Sequence, residues 1–197
     1  SVRPTVIVLV DHRSGACVAA HVVDPSRRRD PDTGRIMRAG FDAARIGYHG
    51  NNKTVTELRR AVSLGIGRII LDSFTEIERL AMITAETAMT ARVMVRVTAG
   101  VEAHTHEYIA TAHEDQKFGF SITGGDAFEA VRRVLAVPGL DLLGLHSHIG
   151  SQIFDSSGFE VAARRVLALQ ARVSDELGVV MPEMDLGGGF GIAYTTV

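Results

Sequence analysis

What most constrains the fold of this chain is an alternation. From residue 42 onward, short apolar runs take turns with longer stretches whose apolar residues recur at helical spacing. Arg45–His49 reads as a short strand ending in the polar turn Gly50–Lys53. Thr54 to Leu64 carries Val55, Leu58, Ala61 and Val62 at helical spacing, with Thr54 as N-cap and Glu57 placed for a capping box. Arg68–Leu71 is the next strand, Phe74 to Ala88 the next helix and Arg92–Val97 a further strand. A polar stretch from Thr98 to Gly119 follows. Asp126 to Ala136 then reads as a helix, Leu140–Leu145 as a strand, Phe159 to Leu177 as the longest helix and Glu183–Leu186 as the last strand.

Strands separated by helices of this length join as parallel βα units. The strands are apolar on both faces, as expected of a sheet covered by helices. An open doubly wound sheet and an eight-stranded barrel both fit, and both place function at the C-terminal ends of the strands. Polar or glycine-rich residues recur there: His49–Lys53, Asp72–Ser73, His146–Gln152 and Gly187–Gly191. About five units are too few to close an eight-stranded barrel. The chain therefore reads as a partial barrel truncated at its C-terminus.

Composition excludes more than it selects. The 197 residues are 46% hydrophobic and 22% charged, enough for one domain with a buried core. A net charge of −2 gives no electrostatic reason to expect nucleic acid or an anionic membrane as partner. No run approaches the length of a membrane span. The one cysteine, Cys17, rules out an intrachain disulfide and fits a reducing cytoplasm. The first 35 residues differ from the rest. Asp11 to Arg38 carries Arg13, Arg27, Arg28, Arg29, Arg35 and Arg38, with Pro25 and Pro31 and little periodicity, and is expected to be a poorly structured or substituted segment, a surface arm being the plainer reading. Residues 1–35 are expected to be an atypical Arg-rich segment and residues 36–197 the partial barrel.

Four constellations carry chemistry. His146 and His148 alternate on a strand end, so both side chains can point the same way; Gly150 lets the backbone turn and Ser151 offers a hydroxyl. A pair of merely hydrogen-bonded histidines is the plainer alternative. Gly187, Gly188 and Gly189, following a strand, expose amides that can nest an anion, although a glycine run is also a common tight turn. The dinucleotide spacing is absent. His104, His106 and His113 lie among carboxylates, but their spacing matches no zinc pattern; a hydrated loop is preferred and no metal is expected. Lys53 ends a strand where a Schiff-base amine could stand, yet such a lysine is more often exposed or salt-bridged. Lys117 is the one other lysine.

Taken together, YHGNNKTVTELRRAVSLGIGRIILDSFTEIERL, VRVTAGVEAHTHEYIATAHEDQKFGF, GLHSHIGSQIFD and MDLGGGFGIAY resemble the diaminopimelate decarboxylases. The likeness runs from Ile36 to the end. It implies a pyridoxal 5'-phosphate (PLP)-binding α/β barrel of the alanine-racemase-like type, followed by a C-terminal β-domain, in a cytoplasmic homodimer with active sites at the subunit interface. The reaction implied is loss of CO₂ from meso-diaminopimelate to give L-lysine. Residue by residue, His148 resembles the histidine that stacks on the pyridine ring, and Ser151 a phosphate contact. Gly187, Gly188 and Gly189 resemble the phosphate loop, and Arg96 a pocket arginine. Lys117 is expected to be structural or at the dimer contact.

Departures from the family accompany the likeness. No Schiff-base lysine motif precedes residue 40, and residues 1–35 do not resemble the family's first βα unit. The Glu-Pro-Gly-Arg segment, the cysteine that acts across the dimer interface and the β-domain would all follow Val197. Ala99 stands where the family has Pro and Ala112 where it has Gly; both changes predict a looser loop. The expectation is a decarboxylase segment inactive alone. Its rivals are a non-catalytic PLP- or phosphate-binding remnant and a small α/β protein that binds a sugar phosphate at Gly187–Gly191.

Overall fold

The computed structural model describes residues 42–101, 118–151 and 153–191, together with the backbone of two strands near the N-terminus, β1 (Thr5–Val10) and β2 (Cys17–Val23). These two pair antiparallel in a sheet of their own, from Thr5 opposite Val23 to Val10 opposite Cys17. A strand thus falls within the segment expected to lack order. Its alternation Cys-Val-Ala-Ala-His-Val-Val is short and contains small residues, which hides the period.

The remaining strands are β3 (Gly47–Tyr48), β4 (Arg68–Leu71), β5 (Ala91–Thr98), β6 (Phe120–Ser121), β7 (Leu140–Ser147) and β8 (Glu183–Asp185). Four helices alternate with them: α1 (Val55–Ser63), α2 (Phe74–Thr87), α3 (Asp126–Leu135) and α4 (Ser157–Leu177). The sheet order is β3-β4-β5-β7-β8, with β6 paired to β5. The pairs β3–β4, β5–β6 and β7–β8 are parallel, the α/β arrangement expected. Each expected strand and helix from residue 45 onward is present with small differences at its ends. β6 is additional: two residues emerging from a polar stretch show no period to read.

The chain forms two compact units, Ser1–Met94 with Arg133–Leu143, and Val95–Arg132 with Gly144–Val197. In the first, Asp42 caps the 3-10 turn Ala43–Arg45 by accepting from the Ala44 amide at 3.0 Å. The capping box of α1 forms as read. Thr54 Oγ1 accepts from the Glu57 amide at 3.2 Å, and Glu57 Oε2 accepts from the Thr54 amide at 2.8 Å. Two of the helix's unsatisfied donors are thereby met. Leu58, Ala61 and Val62 form the buried face of α1, and Ile77, Leu80 and Ile83 that of α2. Ile70, Met94 and Leu143 meet in a buried cluster. Full burial of such side chains is worth about 1.5–3 kcal/mol each.

In the second unit, α4 buries Ala162, Val166, Leu169 and Val173, spaced at helical period. Ala127, Ala130 and Val131 of α3 and Val95, Val97 and Leu145 of the strands are also buried. Arg172 lies over the Phe128 ring at 4.0 Å. The carbonyls of Ala99 and Gly100 both accept from the Arg165 guanidinium. The backbone is therefore held where it leaves β5; the rest of the loop expected to be looser, Ala112 included, lies outside the described residues. No described helix is long and apolar enough to cross a membrane.

Candidate functional site

The site lies in the second unit, where β5, β7 and β8 end. β7 and β8 run in register, Gly144 beside Glu183, Leu145 beside Met184 and His146 beside Asp185. Parallel pairing brings the loops that follow these strands out side by side. The two loops are then tied together. The Ile153 amide donates to the Gly189 carbonyl and the Gly191 amide to the Ile153 carbonyl, each at 2.8 Å, in a parallel bridge between Ile153 and Phe190.

This tie presses the glycine run against the histidine loop. Gly187 has φ +71 and Gly189 φ +114, backbone conformations that favour glycine. A Cβ on Gly187 would stand 2.9 Å from His148 Nδ1, and one on Gly189 would stand 1.9 Å from the Gly150 carbonyl oxygen. Around Gly188 there is open space: a Cβ there would meet nothing within 4 Å. The result is a cradle of backbone amides, walled by His148 and Gly150 and open at its middle. Ser151, exposed, is the next residue along that wall.

Arg96, on β5, is half-buried and stacks on Phe118 at 4.8 Å. Its charge reaches both histidines. Burial lowers the pKa of His146 to about 3, with the Arg96 and His148 charges adding to the effect. His148 is also lowered, first by burial and then by Arg96, while the Asp185 carboxylate pulls the other way. Both rings are therefore neutral near pH 7. A neutral imidazole beside bare amides can face an aromatic ring while the amides hold an anion.

The residues expected to hold a cofactor, Arg96, His148, Ser151, Gly187, Gly188 and Gly189, thus fall in one unit. His148 adjoins the glycine run, and Arg96 acts on His148. His146, read with His148 as a pair, is buried near the end of β7, two positions before His148. One further member was not singled out. Asp185 accepts from the Gly187 amide at 2.7 Å; its signal is an Asp two positions before a glycine in a turn.

Lys53 is elsewhere, in the first unit, and is not a free amine. It is fully buried, with Nζ 2.9 Å from both Glu76 carboxylate oxygens and donating as well to the Gly50 carbonyl. Glu76 in turn accepts from the Asp72 amide at 2.8 Å. Of the two open readings of Lys53, the salt-bridged one holds. His104, His106, His113 and Lys117 lie outside the described residues. Among the described residues no group of His, Cys, Asp and Glu could hold a metal.

Parallel βα units with a glycine loop and an imidazole at their strand ends define a barrel-type α/β protein. Residues 32–197 match the family model described as "Pyridoxal-dependent decarboxylase, pyridoxal binding domain". The chain belongs to that family. Among curated relatives it is 57% identical over 165 residues to a diaminopimelate decarboxylase of Mycobacterium leprae, covering 80% of this chain and 34% of that one. It is 52% identical over 164 residues to that of Corynebacterium efficiens, covering 83% of this chain and 36% of that one. The chain thus spans about a third of these relatives' length.

Solved structures agree on the fold. A diaminopimelate decarboxylase from M. jannaschii in complex with L-lysine superposes with a TM-score of 0.74 at 30% identity, over 81% of this chain and 37% of that one. One from Helicobacter pylori, also with L-lysine, gives 0.70 at 30%, over 82% and 40%. The site fits a pyridoxal phosphate on its own geometry. The cradle admits no side chain at Gly187 or Gly189 and is open at Gly188, and the imidazole stands at its edge.

Proposed function

We propose that this chain supplies the ring- and phosphate-holding part of a PLP-dependent decarboxylase that converts meso-diaminopimelate to L-lysine. The observation that carries this is the close approach of His148 to Gly187, where an added Cβ would stand 2.9 Å from Nδ1. In this reading His148 stacks on the pyridine ring. The amides of Gly188 and Gly189, with the Ser151 hydroxyl, take the phosphate from a loop whose Gly187 amide is held by Asp185, and burial, with Arg96 adding to it, keeps His148 neutral. PLP, when bound, supplies the electron sink for loss of CO₂. The substrate assignment is supported by the relatives named diaminopimelate decarboxylase and by the two lysine complexes. A cytoplasmic homodimer, with no nucleic acid or membrane partner, belongs to the same proposal.

A second reading is favoured by Lys53. Its amine is taken up by Glu76, so Lys53 forms no imine with PLP; in this reading the grip on PLP is non-covalent and the chain alone releases no CO₂. Equilibrium dialysis with PLP, followed by borohydride reduction and peptide mass mapping, tests both readings. Saturable binding, lost in His148→Ala and leaving no pyridoxyl group on Lys53, is the expected result. Absence of saturable binding would overturn the cofactor assignment. A reduced adduct on Lys53 would overturn the non-covalent reading.

A further inference from the structure

We infer that Asp185 is a positioning residue that locks the phosphate loop to the ring-stacking histidine. The inference rests on the cofactor reading above and extends it to a residue with no contact role of its own. Asp185 closes β8, opposite His146 in the parallel register. Its Oδ1 accepts the Gly187 amide at 2.7 Å. That bond holds Gly187, with φ +71, where an added Cβ would stand 2.9 Å from both His148 Nδ1 and the Ser147 carbonyl oxygen.

The same carboxylate faces His148 electrostatically. Among the described residues, the charged and titratable groups acting on His148 and its neighbour are Arg96 on β5, His146 on β7 and Asp185 on β8. Burial and then Arg96 disfavour the protonated ring; Asp185 favours it. One side chain thus holds the loop's backbone and partly offsets the burial and the Arg96 charge that disfavour a protonated imidazole beside it.

There is an electrostatic objection. A carboxylate next to a phosphate is repulsive, so a bystander Asp185 would weaken PLP binding and its removal would tighten it. A positioning Asp185 predicts the reverse for loss of the acceptor. Two variants of the full chain separate these effects. Asp185→Asn keeps an oxygen for the Gly187 amide and removes the charge; Asp185→Ala removes both.

PLP affinity by dialysis and the His148 ring titration by NMR without cofactor are the two measurements. Asp185→Ala is expected to weaken PLP binding about tenfold, the scale of one lost hydrogen bond to an ordered amide. Asp185→Asn is expected to bind PLP at least as well as the unaltered chain. It should also shift the His148 titration to lower pH, because the carboxylate that favours the charged ring is gone.

Unchanged or tighter binding in Asp185→Ala, with the unaltered chain binding PLP, would overturn this inference alone. An unmoved His148 titration in Asp185→Asn would overturn it as well, and that isosteric variant carries the test if Asp185→Ala does not fold. Failure of the unaltered chain to bind PLP would overturn the cofactor reading and the inference together.

Discussion

At the scale of single residues, burial sets the chemistry of the two neighbouring imidazoles. His146 is 4% exposed and its pKa is lowered to about 3, from 6.5 when solvated. Between those values the unfolded chain binds a proton that the folded chain refuses. Its contribution to stability is therefore fully present above about pH 6.5 and is lost as pH falls toward 3. The slope is of order 1.4 kcal/mol per pH unit for one such group. Urea denaturation from pH 7.5 to pH 4.5 (values chosen to bracket the upper part of the window, roughly three units wide) should show this decline, and His146→Gln should flatten it. An equal slope in the variant would remove His146 as the cause.

At the scale of elements, two loops matter more than any helix. The tie between Ile153 and the Gly189–Gly191 segment depends on close approach at Gly189, where a Cβ would stand 1.9 Å from the Gly150 carbonyl oxygen. Gly189→Ala is expected to part the loops and lower PLP affinity by at least about tenfold, the cost of a few lost polar contacts. Far-ultraviolet circular dichroism should stay unchanged, since every helix lies outside the tie. Retained affinity in that variant would show that the loops need not touch. What could be read in advance follows the range of the interaction. The capping box of α1 spans four consecutive residues and was legible from Thr54 and Glu57 alone. β4 was legible to the residue because Arg-Ile-Ile-Leu is bounded by Gly67 and Asp72. The partner of Lys53 is Glu76, which local pattern could not select. Asp185 faces His148 only because β7 and β8 pair in one register, and register is a property of the folded sheet. The glycine run and the histidine pair were legible as types, whereas their contact came from that pairing.

At the scale of the whole molecule, β8 lies at one end of the strand order, and Met184 on it is 39% exposed, with Val180 just before it 82% exposed. An edge strand with no outer partner among the described residues, beside exposed apolar side chains, is a template for pairing with another chain. The 197-residue chain is expected to self-associate, its apparent mass by light scattering after size exclusion rising with concentration. A monomer mass independent of concentration would contradict this. The likeness to larger relatives bears on the same point, because the chain spans about a third of their length.

The bridge between Ile153 and Phe190 has one more consequence. On the proposed cofactor reading, the imidazole wall and the amide floor are joined by backbone bonds before any guest arrives, and neither half has to be ordered at the moment of capture. Inorganic phosphate and unphosphorylated pyridoxal would each meet half of a rigid vice, and the intact cofactor would engage both jaws without forcing either to move.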